Sequence, residues 1–487
     1  AYYFFNSFLH QNGRRTKNHN FSANPIFVNT SDNIFAIDLH LMNGSPCIDN
    51  GNPAEAPQTD IEGNPRPGSD GKVCIGAYET PVNFEPSYSR PPVRIYVSNE
   101  GDNSDGSSWD NAYNSITKGL THINNSSNVE LYEIWLTGDI HYKGEEIVVP
   151  SYVSLFGGFN GDESQLLKRS ISENKTIING EELTHKTQCV INFGVLDGFE
   201  VYNGKYGAIS NFGGRVENCS VHDNKTTWDA AGINNLNYGI VENCVMYNNE
   251  AEHNGGGIYN SSDMRFCRVY NNIADYRGGG VYNLGRLFNC LVYNNVADEE
   301  GGGLYNKGIV VNCNVSLNSS TNKNSGGIYN EDSIVNTISW NNEKKDLIGE
   351  LSKVKYSCFS GANNTNYNIG RSPLFLNTSG DISTWNFHLQ PDSPCIDAGT
   401  SEGAPGMDLD GNPRPLGAGY DIGAYEFPEY LPGDINNDEQ LTLEDVRLLQ
   451  EQILGIGSLK RKAASRGDAN QDGKLDAGDI ITIMHYL

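Results

Sequence analysis

One interval governs this chain. A Gly/Ala pair followed by an apolar residue recurs at Ile209, Ile233, Ile258, Val281, Leu304 and Ile328, at spacings of 24, 25, 23, 23 and 24 residues. About ten residues after each comes Cys219, Cys244, Cys267, Cys290 or Cys313, and then Thr337. Five residues further on stands an asparagine every time: Asn224, Asn249, Asn272, Asn295, Asn318 and Asn342. Three positions that hold one period over six units define a solenoid.

The units are built from strands. Each holds apolar-polar alternations of three to five residues broken by Gly and Asn, whereas helix-pair repeats need longer runs at 3.6 spacing. Short strands that pair with the same strand of the next unit make a parallel β-helix, with coils ~4.8 Å apart and equivalent residues in ladders. The cysteines then point inward as small apolar side chains. They form a line and do not converge as metal ligands would. The asparagines are expected at turns, tolerating left-handed backbone and bonding to the coils above and below. The Gly triplets are expected where a Cβ would clash. The outward Tyr259, Tyr282, Tyr305 and Tyr329 form one stripe, and Tyr247, Tyr270, Tyr293 and Trp340 a second; both read as intercoil stacking, with a grip on sugar rings or a partner as the alternative.

Composition narrows the partners. Asp plus Glu number 60 against 34 Lys plus Arg, a net charge of -26. That opposes nucleic acid and anionic membrane and suits a protein that binds cations. No apolar run is long enough to span a membrane.

Two distant segments match at an offset of 348 residues: NPIFVNT, SPCIDNG, DIEGNPRP and IGAYE end at Glu79, and SPLFLNT, SPCIDAG, DLDGNPRP and DIGAYE end at Glu426. His40 matches His388, Cys47 matches Cys395, Asp49 matches Asp397 and Arg66 matches Arg414. These stretches resemble the closing segment of bacterial surface right-handed β-helix proteins, and RIYVSNEGDNSDGSSWDNAYNSITKGL resembles their opening. The GGGIYN repeats are similar to those of polymorphic outer-membrane proteins. The expected order is the last coils and cap of a first β-helix over 1–80, a proline-rich linker over 81–92, and a second, complete β-helix over 93–428. The chain is expected to open within that first helix. Asp110 is expected to cap a short helix whose Ala112, Ile116, Leu120 and Ile123 share one face and cover the open end of the solenoid.

Parallel β-helices host pectin and alginate lyases and polygalacturonases. The charged residues Arg215, Glu217, Asp229, Glu252, Arg268 and Arg277 read as scattered over different turn positions, and no paired carboxylates stand out. Asp229 with His253 and Arg277 reads as a solvated turn face. No catalytic residue is assigned.

The last 57 residues, 431–487, are more specific. GDINNDEQLTLEDVRLLQEQILG and GDANQDGKLDAGDIITIMHYL each set oxygen donors at alternate positions of a loop that leads into an amphipathic helix. The first copy offers Asp434, Asn436, Asp438, the carbonyl of Gln440 and Asp445; the second offers Asp468, Asn470, Asp472, the carbonyl of Lys474 and Asp479. Two Ca2+ ions are expected. The duplication, the Asp at the twelfth position and the missing entering helix resemble a type I dockerin, which plugs into a cohesin. Glu439 departs from the Gly usual at its position, so the first site is expected to bind more weakly. The resemblance places partner selection at Leu443 and Glu444 in one copy and Ala477 and Gly478 in the other.

These readings give a mostly β, extracellular or cell-surface chain. Its expected role is a non-catalytic accessory or binding protein of a surface complex, with a cohesin-like domain or an outer-membrane nutrient-uptake machine as partner and a glycan as possible ligand. The alternatives are a dockerin-bearing polysaccharide lyase or glycosidase acting on acidic glycans, and an adhesin.

Overall fold

The structure, a computed structural model, describes residues 92–124, 131–428 and 432–486 with short gaps inside them. Before residue 92 it describes only Phe27–Asn29, Asp38–Leu41 and Thr59. Cys47, Asp49, Arg66 and residues 81–91 of the expected linker lie outside the described residues. Residues 1–94 with 128–132 form one compact unit and the remainder a second.

In the first unit, Phe27–Asn29 pairs antiparallel with Asp38–Leu41, Phe27 facing Leu41 and Asn29 facing Asp38. In the second, Phe375–Asn377 pairs with Asn386–Leu389, Phe375 facing Leu389 and Asn377 facing Asn386. Every residue of the second pair lies 348 positions after its counterpart, and the register irregularity falls between the same two residues. The sequence duplication is thus a duplication of one strand pairing.

The second unit is a right-handed parallel β-solenoid. Its coils build sheets of eleven, ten, nine and five strands, apart from the antiparallel pair just described. One coil runs Arg215–Glu217, Ser220–His222, Lys225–Thr226 and Ile233–Leu236, and each piece pairs in parallel register with its equivalent on the next coil. Alternation decides what faces inward: Ile233, Ile258, Val281, Leu304 and Ile328 are buried and face one another coil by coil.

The Gly triplets work as their positions require. Gly278 has φ +63, which a side chain disfavours, and a Cβ on Gly279 would lie 2.2 Å from the Val296 carbonyl oxygen. The asparagine ladder is present, with one correction. Asn224, Asn249, Asn272, Asn295 and Asn318 are buried and each donates from Nδ2 to the Oδ1 of the next at 2.9–3.0 Å. The left-handed residue is the one before each: Asp223, Asn248, Asn271, Asn294 and Leu317. The ladder side chain must point inward, and the residue ahead of it makes the bend. A second ladder links Asn192, Asn211, Asn235, Asn260, Asn283, Asn306 and Asn330 through the same Nδ2 to Oδ1 bond at 2.8 Å.

The cysteines Cys219 to Cys313 are free and buried, each in the short turn before a strand. At the opening end the helix Ile116–Asn124 buries Ile116, Leu120 and Ile123. Ser115, and not Asp110, supports its start by accepting from Lys118 N at 3.2 Å; Ala112 is buried outside the helix. At the closing end Phe375, Phe387, Leu389, Cys395, Ile422 and Tyr425 pack with Ile338 and Cys358 of the last coils. Beyond it the helices Leu443–Ile453 and Ala477–Tyr486 share a small core of Ile435, Val446, Leu449, Ala469 and Ile483.

Candidate functional site: two oxygen-rich loops and the solenoid faces

Each helix of the small C-terminal module begins where an acidic loop ends. Asp445 is fully buried and takes three backbone amides: Ile435 N at 2.8 Å, Asn436 N at 3.2 Å and Thr442 N at 2.9 Å. The Thr442 side chain accepts in turn from the Asp445 backbone amide, which closes a capping box at the helix start, and also from Glu444 N at 3.2 Å. One carboxylate therefore fastens both ends of its loop.

Asp479 does the same in the second copy, accepting from Asp476 N at 2.9 Å and Asn470 N at 3.2 Å. Burial, reinforced by the nearby Asp468 and Asp472 carboxylates, pushes Asp479 up to about 6. Asp472 N donates to Asp468 Oδ1 at 3.0 Å and to Asn470 Oδ1 at 3.1 Å, and Lys474 N donates to Asp472 Oδ1 at 2.9 Å. Among the described residues, no three such side chains converge closely enough to grip an ion. The donor set is nevertheless hard oxygen throughout, and its crowded negative charge is of the kind calcium neutralises. Asp438 and Glu439 lie outside the described residues.

The positions expected to select the partner differ between the copies. Leu443 is 68% exposed, and Glu444 is exposed beside Arg447 in a helix-surface ion pair. Ala477 is exposed but carries only a methyl group, and a Cβ on Gly478 would lie 2.8 Å from Asn470 Nδ2. The second loop also meets the solenoid's closing segment, where Asn386 Nδ2 donates to the Asn470 carbonyl at 2.6 Å.

On the solenoid both tyrosine stripes are stacked ladders. Tyr259, Tyr282, Tyr305 and Tyr329 have centroids 5.0 Å apart and planes within 9° of parallel. Ring faces so placed are covered by the next ring, and Tyr305 is buried altogether, its hydroxyl donating to Glu331. The second stripe begins earlier than its tyrosines suggest, as Tyr202, His222, Tyr247, Tyr270 and Tyr293. It ends against Phe387 and Trp385, because Ser316 separates Tyr293 from Trp340.

Two charged clusters escaped the sequence. His222 is held through Nδ1 to Asp223 at 2.7 Å and through Nε2 to Glu200 at 3.0 Å. Burial opposes ionisation of Glu200, but its bonds to His222 and Lys175 outweigh it and leave the carboxyl below its ordinary range. With both ring nitrogens engaged, His222 is poorly placed to act as a base. On another face Asp197, Glu217, Glu242 and Arg265 stand in register on successive coils. Arg169 meets Asp197 at 2.7 Å, and Arg215 bridges Glu217 and Glu242. The expectation of scattered turn positions is corrected for Arg215 and Glu217, which strand register lines up with neighbours of opposite sign, whereas Asp229, Glu252 and Arg277 do lie in bends. Asp229 accepts from Asn254 N and Nδ2 at 2.9 Å, and Arg277 pairs with Glu300 at 2.8 Å, so these two do not converge on His253.

Residues 432–487 match the family described as Dockerin type I domain. Type I dockerin domains bind calcium and cohesin partners, and proteins that carry one are extracellular or displayed at the cell surface. No curated protein matches the chain. Among solved structures, pectate lyase Pel9A is similar with 16% identity and a TM-score of 0.40, over 68% of this chain and 96% of that one. The pectin methylesterase from Aspergillus niger follows with 13% identity and a TM-score of 0.28, over 62% and 95%. Likenesses this distant carry nothing about chemistry. No helix among the described residues is long and apolar enough to cross a membrane.

The dockerin match overturns one expectation. A module that plugs its cargo into a cohesin-bearing scaffold does not suit a fixed, non-catalytic subunit of an outer-membrane uptake machine, and that reading gives way to the alternative of a dockerin-borne enzyme.

Proposed function

We propose that the chain is a dockerin-borne enzyme that degrades polysaccharide, a lyase or a glycoside hydrolase, with the solenoid of residues 93–428 as its working body. The observation that carries this reading is the type I dockerin match over residues 432–487. The module's task is delivery: cohesin binding would fix the solenoid on a scaffold beside other enzymes, raising its local concentration at an insoluble substrate.

Calcium would be held at two sites, by Asp434, Asn436, Asp438, Asp445 and the Gln440 carbonyl, and by Asp468, Asn470, Asp472, Asp479 and the Lys474 carbonyl. When bound, the ion supplies positive charge that offsets carboxylate crowding. Asp445 and Asp479 tie each loop to its helix through the hydrogen bonds they accept from backbone amides. Leu443 and Glu444 are the side chains we assign to cohesin selection. Ala477 and Gly478 offer little beyond backbone, so docking runs through the first copy.

The test pairs a scaffold assay with a turnover assay. The whole chain is passed over immobilised cohesins in calcium and in chelator, then incubated with a panel of acidic and neutral glycans. Capture that chelator abolishes, together with new reducing ends or unsaturated-product absorbance, is the expected result. Capture without turnover of any glycan would overturn the enzyme reading.

A further inference from the structure

A third set of aromatic side chains sits on the turn that follows the five-stranded sheet. In-register pairing of Thr226 with Ala251 and of Ala251 with Ala274 brings Trp228, His253 and Tyr276 onto three successive coils. Unlike the two stacked stripes, these rings are splayed. Trp228 and His253 lie 6.1 Å apart at 57°, and His253 and Tyr276 lie 5.7 Å apart at 41°. Their faces are not spent on one another. Trp228 is 68% exposed and Tyr276 54% exposed. The row ends on the next coil, where Glu299 takes the position.

The backbone beneath is fixed from coil to coil. Tyr276 N donates to the His253 carbonyl at 3.1 Å, Glu299 N to the Tyr276 carbonyl at 2.8 Å, and Ala230 N to the Asn254 carbonyl at 2.9 Å. Three open rings on a preset frame form a platform whose ordering cost was met on folding.

The charge around the platform is negative. Nearby cations are already matched: Lys225 with Glu250, Arg277 with Glu300 and Lys323 with Glu299. Glu252, Asp275 and Asp298 add carboxylates. Burial, and then Asp298, Glu250 and Glu252, hold the Asp275 carboxyl above its ordinary range. Such a border accepts hydrogen bonds from hydroxyl groups and repels polyanions.

We infer that Trp228, His253 and Tyr276 form a binding platform for a neutral glycan chain, its sugar faces on the rings and its hydroxyls donating to Glu252 and Asp275. This rests on the reading of the chain as a polysaccharide-degrading enzyme, and it favours a glycosidase on uncharged chains over a lyase on polyuronates.

Affinity electrophoresis of the full chain in gels containing xylan, mixed-linkage β-glucan, galactomannan or polygalacturonate tests it. Retardation by at least one neutral glycan and not by polygalacturonate is expected. The Trp228→Ala/Tyr276→Ala variant should weaken it at least tenfold with an unchanged melting temperature, and Trp228→Tyr/Tyr276→Phe should restore most of it. Equal retardation of wild type and the alanine variant, preference for polygalacturonate, or no retardation by any neutral glycan would each overturn the platform. The two readings fail separately. Retardation that the alanine variant loses, with no turnover of any glycan, sinks the enzyme and leaves the platform; turnover with retardation untouched by the variant does the reverse.

Discussion

Asn249 donates from Nδ2 to Asn272 Oδ1 at 2.9 Å, across 23 residues of sequence and a single coil of structure. Asn272 in turn donates to the carbonyls of Met246 at 3.0 Å and Tyr270 at 2.9 Å. One buried amide thus serves three coils. Asn272→Ala removes those two bonds and the ones its Oδ1 accepts from Asn249 N and Nδ2, leaving Asn249 Nδ2 only the Val221 carbonyl at 2.9 Å. The expected cost is about 3 kcal/mol, read as a lower urea midpoint for the solenoid. An unchanged midpoint would mean the ladder is ornamental.

The closing segment sets a pH dependence. Asp421 is buried beside Glu426, which accepts from Arg414 inside the same pocket, and burial together with the Glu426 charge pushes it up to about 7. A carboxyl whose folded value lies above its unfolded value binds more protons in the native state between about pH 4 and pH 7. Its contribution is therefore greatest at the acid end of that window and is lost as the pH rises through 7. Comparing Asp421→Asn with wild type at pH 4.5 and pH 8, the stability difference should shift toward the variant at the higher pH. A difference independent of pH would remove Asp421 as the titrating group.

Calcium removal should divide the chain. Ile435, Val446, Leu449, Ala469 and Ile483 are the whole buried apolar cluster described for the dockerin, too few to fold such a module unaided. In chelator a protease should trim residues 432–487 while the solenoid survives and keeps its β circular dichroism. Joint loss of both would show that the two parts unfold as one.

The cysteine ladder should be chemically silent. Cys219, Cys244, Cys267, Cys290 and Cys313 are at most 2% exposed, and a thiol needs access and thiolate character to react. In native buffer a disulfide-forming thiol reagent should leave all five unmodified by peptide mapping, and label them in denaturant. Native labelling of any of them would revive a redox role.

Much of this was legible in the sequence because a solenoid writes its contacts at fixed spacing. Ile258 meets Val281, and Asn249 meets Asn272, because 23 residues close one coil. The second asparagine ladder went unread although the pattern held it: Asn260, Asn283 and Asn306 follow the outward tyrosines, and alternation buries them. Periodicity of type also misled at Trp340, which continues a pattern of aromatic residues that Ser316 interrupts in space. Trp228, His253 and Tyr276 keep position without keeping type, so a pattern search passes over them. In the dockerin the module was legible from its two loop-and-helix copies, while the link from Asn386 to Asn470 joins segments that no local motif relates.

The two asparagine ladders and the inward aliphatic row give every coil the same chemical neighbour above and below. A coil is then an interchangeable part. Removing Cys244 through Phe266 would bring Cys267 beneath Cys219, Asn272 beneath Asn224 and Val281 beneath Ile233, so each ladder could close over the excision. Lineages of such chains can lengthen or shorten in whole coils, and the face they present to a substrate can be resized without redesigning the interior that supports it.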